Sequence, residues 1–506
     1  MCLSRGKPKS AITVSRDMTD TIVKNDNLAG RARQLARLRP LQVLAELAGV
    51  KKIQVYLVGG TVRELLLGRE IHDLDLAVNR DALGSARELA QALEGTFVLL
   101  DEAQRAARVV WQGQELDLTE FRAPDLAGDL HKRDFTLNAL AMDLQAIFRD
   151  QEPAIIDPWG GRQDLAAKRL QVLRPENFRE DPVRLLRAFR FAATHGFILT
   201  PEVQAVIRQY GPAICDMPGE RLHQELFRLL AAPRAYPAVQ QMADLGFLGR
   251  IFPELEDMKG VAQNGYHHLD VFEHSLLALS KLEDVLAAPE AYFKHTATYV
   301  ADYARQGKKA VLVKLAALFH DVGKPPTQEY REDQERYTFY HHERLGAAIF
   351  QAAAARLRCS QDETRTVSRL IELHLRPFLL LPDFRQGKLT PRAMGRLVKA
   401  ARPELAGLFL LALADSLAGQ GPLKPPDSEA VLADFCHQVY LFLKERLEPL
   451  EERPRLLSGD DLIKELNLTP GPGFRDLLAA VEEAALVGEI STREEALRLV
   501  RGLIET

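Results

Sequence analysis

Residues 55–75 read Val55-Tyr56-Leu57-Val58-Gly59-Gly60-Thr61-Val62-Arg63-Glu64-Leu65-Leu66-Leu67-Gly68-Arg69-Glu70-Ile71-His72-Asp73-Leu74-Asp75. An apolar run from Val55 to Val58 enters a Gly59-Gly60 turn, an amphipathic helix is expected over Val62 to Leu67, and a second strand carries Asp73 and Asp75. Paired glycines let backbone N–H groups come close to a polyphosphate, and the helix that follows points its positive end at the same place, with Arg63 one turn in. Two residues apart on an extended segment, the carboxylates of Asp73 and Asp75 leave one face of the strand. Like charges held that close repel unless a divalent cation lies between them, and hard oxygen ligands suit Mg²⁺ in phosphoryl transfer. A lone Asp-x-Asp more often marks a solvated strand edge. The glycine turn and the arginine ahead of it turn the reading toward a phosphate cradle followed by a metal site.

At 506 residues the chain exceeds a single core and is expected to split into about three or four domains. Strand-like alternation occurs before residue ~145; beyond it Leu, Ala, Glu and Arg recur in a helical pattern. A net charge of −4 leaves nucleic-acid binding open, so the distribution of charge decides. Residues 1–52 hold 11 Lys/Arg against 4 Asp/Glu and residues 160–195 hold 8 against 4, whereas residues 421–506 hold 10 against 17. An RNA footprint is therefore expected on the N-terminal half. Cys2, Cys215, Cys359 and Cys436 are scattered without metal or disulfide spacing, which points to a reducing cytoplasm. No apolar run reaches ~18 residues and no signal-peptide core is visible, so no membrane is expected as a partner. Residues 1 to about 35 read as a flexible basic arm, with Met18 as an alternative start.

Leu41 to Gly49 reads as a helix, residues 82–93 as an amphipathic helix and Thr96 to Leu100 as a strand; 108–111 and 115–118 read as a hairpin turning at 112–114. Lys132-Arg133-Asp134-Phe135-Thr136-Leu137-Asn138-Ala139, seen bare, is one helix N-terminus with a charge pair. Asp181 and Arg184, three apart on one helical face, either present a donor and acceptor row to a base edge or form a surface ion pair. Arg187 and Arg190 extend that helix toward phosphates or stacking.

Leu57-Val58-Gly59-Gly60-x-Val62-Arg63-x-x-Leu66-Leu67-Gly68 followed by Asp73-x-Asp75 resembles the signature of the class II tRNA nucleotidyltransferase and bacterial poly(A) polymerase superfamily, and the resemblance runs through most of the chain. It implies that Asp117, on the strand after the hairpin turn, is a third metal-binding carboxylate, so that two Mg²⁺ ions serve the triphosphate and the attacking 3′-hydroxyl. Lys132 to Ala139 resembles the family's Arg-Arg-Asp-x-Thr-x-Asn-Ala motif, with Lys132 in place of the first arginine. By that resemblance Gly59, Gly60, Arg63 and Arg133 hold the triphosphate, and Asp134 and Asn138 the sugar region. It also implies that Asp181 and Arg184 read C and A by Watson–Crick-like hydrogen bonds, with Arg187 beside them. Asp157-Pro158-Trp159-Gly160-Gly161 resembles the link from head to neck, and Pro218-Gly219-Glu220-Arg221-Leu222 with Glu225 a motif that braces the recognition helix. Nine residues separate Arg122 from Lys132 where CCA-adding members carry a longer loop; members that add two cytidines resemble the shorter form.

Histidines and acids gather again downstream. His274, His320-Asp321, His341-His342-Glu343, His374 and Asp415 lie on separate helical segments and converge only if a bundle packs them inward. Together they resemble an HD-type metal-dependent phosphohydrolase domain, which implies His274, His320, Asp321 and Asp415 as four basic ligands and His342 and His374 as the extra pair of two-metal members. A His-rich site suits Mn²⁺, Ni²⁺ or Co²⁺ better than Mg²⁺. In related nucleotidyltransferases such a domain hydrolyses phosphomonoesters or 2′,3′-cyclic phosphates. His267-His268 reads as a solvated turn, Pro422, Pro425 and Pro426 as a linker, and the segments after Ser458, Pro472 and Ser491 as short capped helices.

The expected architecture is a basic extension (1–40), an α+β nucleotidyltransferase-type head with a mixed sheet (41–145), an all-α neck (146–255), an HD helical domain (256–420) and a small helical tail (421–506). The expected activity is template-independent addition of C from CTP to tRNA 3′ ends in the cytoplasm, as CC or, with ATP, as CCA, alongside phosphohydrolysis at the second site. A poly(A) polymerase, or an HD phosphohydrolase carrying an inactive head, is the alternative. Oligomeric state is left open.

Overall fold

The computed structural model describes residues 28–504 apart from residue 72 and residues 150–152. The chain forms two compact units, the first running through Arg184 and including Gly196–Tyr210, the second taking Leu185–His195 and everything from Gly211 onward.

In the first unit, strands β1 (Val55–Val58), β2 (Asp73–Val78), β3 (Thr96–Asp101), β4 (Ala106–Trp111), β5 (Gln114–Glu120) and β6 (Ala141–Asp143) form one sheet in the order β3-β4-β5-β2-β1-β6. β2 and β5 run parallel and every other pair antiparallel, so the sheet is mixed as expected. The helix Ala82–Leu93 packs on β4 and β5 through Ala82, Ala86, Leu89, Ala90 and Leu93, a stripe at helical spacing. The helix after β1 spans Gly59–Leu67, three residues earlier than expected, with Gly59 in the left-handed region at φ 58°. Leu28–Ala36 is also helical, burying Leu28, Ala32 and Leu35, and Arg31 Nη1 donates to Leu65 O at 2.9 Å. The flexible arm expected through residue 35 is thus corrected from residue 28 on; residues 1–27, with Cys2 and Met18, lie outside the described residues.

The second unit is helical apart from the hairpin Glu329–Arg331/Arg336–Thr338 among its described residues. The helix Leu405–Ala418 is apolar on every side and buried almost throughout, packed by the helices Val271–Ala287 and Lys309–Phe319. Near the C-terminus, Gly459–Leu466, Gly473–Val487 and Arg493–Ile504 share a small core of Leu462, Val481, Ala484, Ala496 and Val500. Ser458 and Asp461 close a capping box at the first of these helices. Among the described residues no helix is long and apolar enough to cross a membrane.

Candidate active site and metal centre

Because β2 and β5 are parallel neighbours, Asp75 lies opposite Asp117 and Asp73 opposite Glu115. Two-residue alternation puts Asp73, Asp75 and Asp117 on one face, while Leu74, Leu76, Leu116 and Leu118 are buried on the other. Gly60 N–H donates to Asp75 Oδ2 at 2.9 Å and Asp75 N–H donates to Thr61 Oγ1 at 2.7 Å, tying the helix start to the acid strand. A Cβ on Gly60 would stand 2.7 Å from Asp75 Oδ2, and one on Gly59 would stand 2.8 Å from Arg133 Nη1. Gly59 N–H donates to Leu140 O at 3.2 Å. The expected cradle of free glycine N–H groups is therefore corrected: both donors are engaged, and what the glycines contribute is room beside a guanidinium.

Arg133 supplies that positive charge. Asp129, which sequence reasoning missed, holds it with Nη2–Oδ2 at 3.4 Å and accepts from Arg122 Nε at 3.0 Å. Burial acts to raise the Asp129 carboxyl, but Arg133 and Arg122 outweigh it and hold it below its ordinary value. Burial likewise lowers the Arg133 guanidinium against the pull of Asp129. Arg63, expected at the triphosphate, is 7% exposed and turns inward to Glu64 at 2.7 Å and to Asn138 Oδ1. Asn138 Nδ2 donates to Asp134 Oδ1 at 2.7 Å. These three form a brace under the motif, because a buried guanidinium must satisfy its donors on protein acceptors. The expected helix start at 132–139 is a single 3₁₀ turn, Thr136–Asn138.

The Asp75 carboxyl is held above its ordinary value by burial first and by the charge of Asp117, against Arg133. A divalent cation would relieve that repulsion, so the all-oxygen donor set fits Mg²⁺. Asp117 is answered from β4 by Arg108, Nε–Oδ1 2.7 Å and Nη2–Oδ2 2.9 Å, a bidentate pair that also engages Glu115. Among the described residues the groups with ligand atoms within 4.8 Å of one another are His274/His320/Asp415, Asp321/His342/His374 and His223/Cys359/Glu363. The head carboxylates are not among these groups, and Asp117 is held by Arg108.

Arg184 Nε lies 3.6 Å from Asp181 Oδ2, and its Nη1 donates to the carbonyls of Lys132 and Asn177 at 3.1 Å each. Asp181 precedes the helix Val183–His195 instead of lying on it as expected, with Pro182 between them. In the second unit Arg190 Nε donates to Glu225 Oε2 at 2.6 Å, and Arg187 Nε is 4.0 Å from Glu225 Oε1.

The six HD residues do converge in the second unit. Asp321 lies between two histidine pairs: its Oδ2 is 3.2 Å from His320 Nε2 and 3.8 Å from His274 Nε2, its Oδ1 3.4 Å from His342 Nε2 and 3.7 Å from His374 Nε2. Asp415 Oδ1 is 3.0 Å from His274 Nε2. His320, His342 and His374 each present Nδ1 to a carbonyl (Ala317, Phe339, Ile371) at 2.7–2.9 Å. With Nδ1 donating there, Nε2 is the nitrogen left for a metal, and the set fits two transition-metal ions. Burial lowers the His320 imidazole, but Asp321 and Asp415 overcome it and lift it to about 10; burial and then His342 push His374 down to about 3. Lys324, 2.6 Å from Asp321 Oδ2, was missed. So was His267: His268 is exposed in the expected turn, but the His267 ring lies 4.5 Å from that of His274, and burial and then Lys324 push its imidazole down to about 3.

Family profiles match in the same order. The Poly A polymerase head domain covers residues 55–171, the probable RNA and SrmB-binding site of polymerase A residues 196–259, and the HD domain residues 271–419. An A-adding tRNA nucleotidyltransferase of Deinococcus radiodurans is 34% identical over 88% of this chain and 94% of its own. The chain belongs to the tRNA nucleotidyltransferase family. A CC-adding tRNA nucleotidyltransferase of Thermus thermophilus is 33% identical over 87% of this chain and 91% of its own. A Thermotoga maritima CCA-adding enzyme complexed with tRNA shares the fold, with a TM-score of 0.60 and 20% identity over 94% of this chain and 98% of that one. Two site residues that the sequence did not single out have a traceable signal: Asp129 stands four residues before Arg133, and Arg108 falls opposite Asp117 once the hairpin register is drawn.

Proposed function

We propose that the first unit adds cytidylate from CTP to the 3′ end of tRNA without a nucleic-acid template, giving CC or, with ATP, CCA. The observation that carries this is the acid face of β2 and β5 meeting the Gly59-Gly60 space beside Arg133, and the family membership supports it. The RNA 3′-oxygen bonds to the α-phosphorus, the bond to the pyrophosphate oxygen breaks, and the hydroxyl proton leaves. Arg133 faces the triphosphate, and Arg63, Asp134 and Asn138 hold the motif that carries it. Asp181 and Arg184 present the acceptor and donor that select the base. Mg²⁺ held by Asp73, Asp75 and Asp117 would supply charge neutralisation and an acidified 3′-hydroxyl. Catalysis otherwise rests on positioning, and a cytoplasmic location suits this work.

The second unit, in this reading, is a phosphohydrolase for phosphomonoesters or 2′,3′-cyclic phosphates using Mn²⁺, Ni²⁺ or Co²⁺, supported by the six converging ligands. Incubating tRNA lacking CCA with CTP, ATP and both, then sequencing the ends, tests the head. Addition of C from CTP alone is expected. Long A tracts from ATP alone would favour a poly(A) polymerase, and no addition would favour an inactive head.

A further inference from the structure

The turn at Asp157–Gly161 is fastened to the nucleotide motif from two sides. Asp157 accepts from Gly161 N–H at 2.7 Å and Arg162 N–H at 3.0 Å, and Gly160 takes a left-handed φ of 74°. Thr136 Oγ1 donates to Asp164 Oδ2 at 2.7 Å, and a Cβ on Gly161 would run into the Thr136 carbonyl. Held by these anchors, Trp159 is 37% exposed and packs on His131 with ring centroids 4.2 Å apart and planes tilted by 31°. His131 is itself fixed, its carbonyl accepting from Asn177 Nδ2 at 3.0 Å, next to the Lys132 carbonyl that accepts from Arg184. A tryptophan kept partly in water on a backbone that cannot fold it away is a surface waiting for a flat partner.

We propose that Trp159, backed by His131, is the stacking platform for an unpaired base at the 3′ end of the RNA that receives the nucleotide. Stacking is indifferent to base identity, which suits a primer whose last nucleotide changes with each addition. Exposed Lys132, next to His131, and exposed Arg162, three residues after Trp159, supply charge for the phosphate backbone. Trp159 has this role only if the head extends tRNA, as proposed above.

The sequence holds two tryptophans, so in Trp111→Phe the only indole left is Trp159. Full-length Trp111→Phe is titrated with an acceptor-stem RNA hairpin ending in one unpaired nucleotide, with its blunt-ended counterpart, and with CTP. Loss of Trp159 emission with the overhanging hairpin, and with neither of the others, is expected. Trp159→Ala should raise KM for the hairpin about tenfold, the loss of one stacked base, with KM for CTP unchanged and Trp159→Phe restoring the wild-type value. Unchanged emission on a hairpin that binds and is extended overturns the platform while leaving the transferase reading intact. Emission lost on CTP alone overturns the assignment to RNA, and a hairpin that neither binds nor is extended overturns both readings.

Discussion

At Gly60 the backbone and the chemistry share one atom: Asp75 Oδ2 accepts its N–H at 2.9 Å and would lie 2.7 Å from any Cβ placed there. Gly60→Ala must therefore push the carboxylate aside. A shift of about 1 Å at a reacting centre costs about a hundredfold in rate, so transfer by Gly60→Ala is expected to fall by roughly that factor with Tm nearly unchanged. Gly49, exposed on the helix Arg39–Lys51 with nothing within 4 Å of its Cβ position, is the control. Gly49→Ala should leave the rate alone; equal rates for the two variants in a steady-state assay would remove Gly60 from the site. Around this atom the residue types were legible in sequence but their directions were not. An arginine one turn into a helix can face a ligand or the protein, and Arg63 faces Asn138 because its tertiary partners, 75 residues away, decide.

Among elements, the helix Gln361–Leu373 shows how a terminus is held. Glu363 closes its capping box with Ser360, takes Lys308 Nζ at 2.7 Å and lies 3.1 Å from His223 Nε2. Burial opposes ionisation, yet Lys308, the Ser360 N–H and His223 lower the Glu363 carboxyl to about 2. A carboxyl lower in the folded than in the unfolded chain stabilises above its unfolded pKa, about 4.5, and loses that contribution as pH falls toward 2. Glu363→Gln should therefore cost about 1–2 kcal/mol at pH 7, allowing for solvent screening. In urea titrations the gap to wild type should narrow below pH ~4.5; a gap independent of pH would mean the charge contributes nothing. Strong periodicity made most elements legible, as at Ala82–Leu93, whose stripe matches the expected span. Leu28–Ala36 escaped because Arg31 and Arg33 mask a stripe that has meaning only against Leu65. His267 escaped because nothing in a His-His pair announces which ring will meet His274.

At the scale of the whole molecule, two units each carry their own donor set, one of oxygen and one rich in imidazole, so their chemistries should separate. The protein stripped with chelator and reloaded is expected to bind two Mn²⁺, Ni²⁺ or Co²⁺ ions at the HD residues by mass spectrometry of metal content, and Asp321→Asn, which removes a carboxylate shared by both histidine pairs, at most one. Two ions retained in Asp321→Asn would show that neither ion depends on that carboxylate. Identity to relatives does not choose between products, since an A-adding relative at 34% and a CC-adding relative at 33% stand side by side; the nucleotides added to the tRNA end decide it. The most direct test of the central claim is a single-turnover assay of nucleotide addition to tRNA lacking CCA by wild type and Asp75→Asn, with phosphohydrolase activity measured on the same preparations. Wild type is predicted to extend the tRNA while Asp75→Asn adds nothing and keeps its phosphohydrolase rate. Extension by Asp75→Asn at the wild-type rate would contradict transfer at the β2–β5 carboxylates.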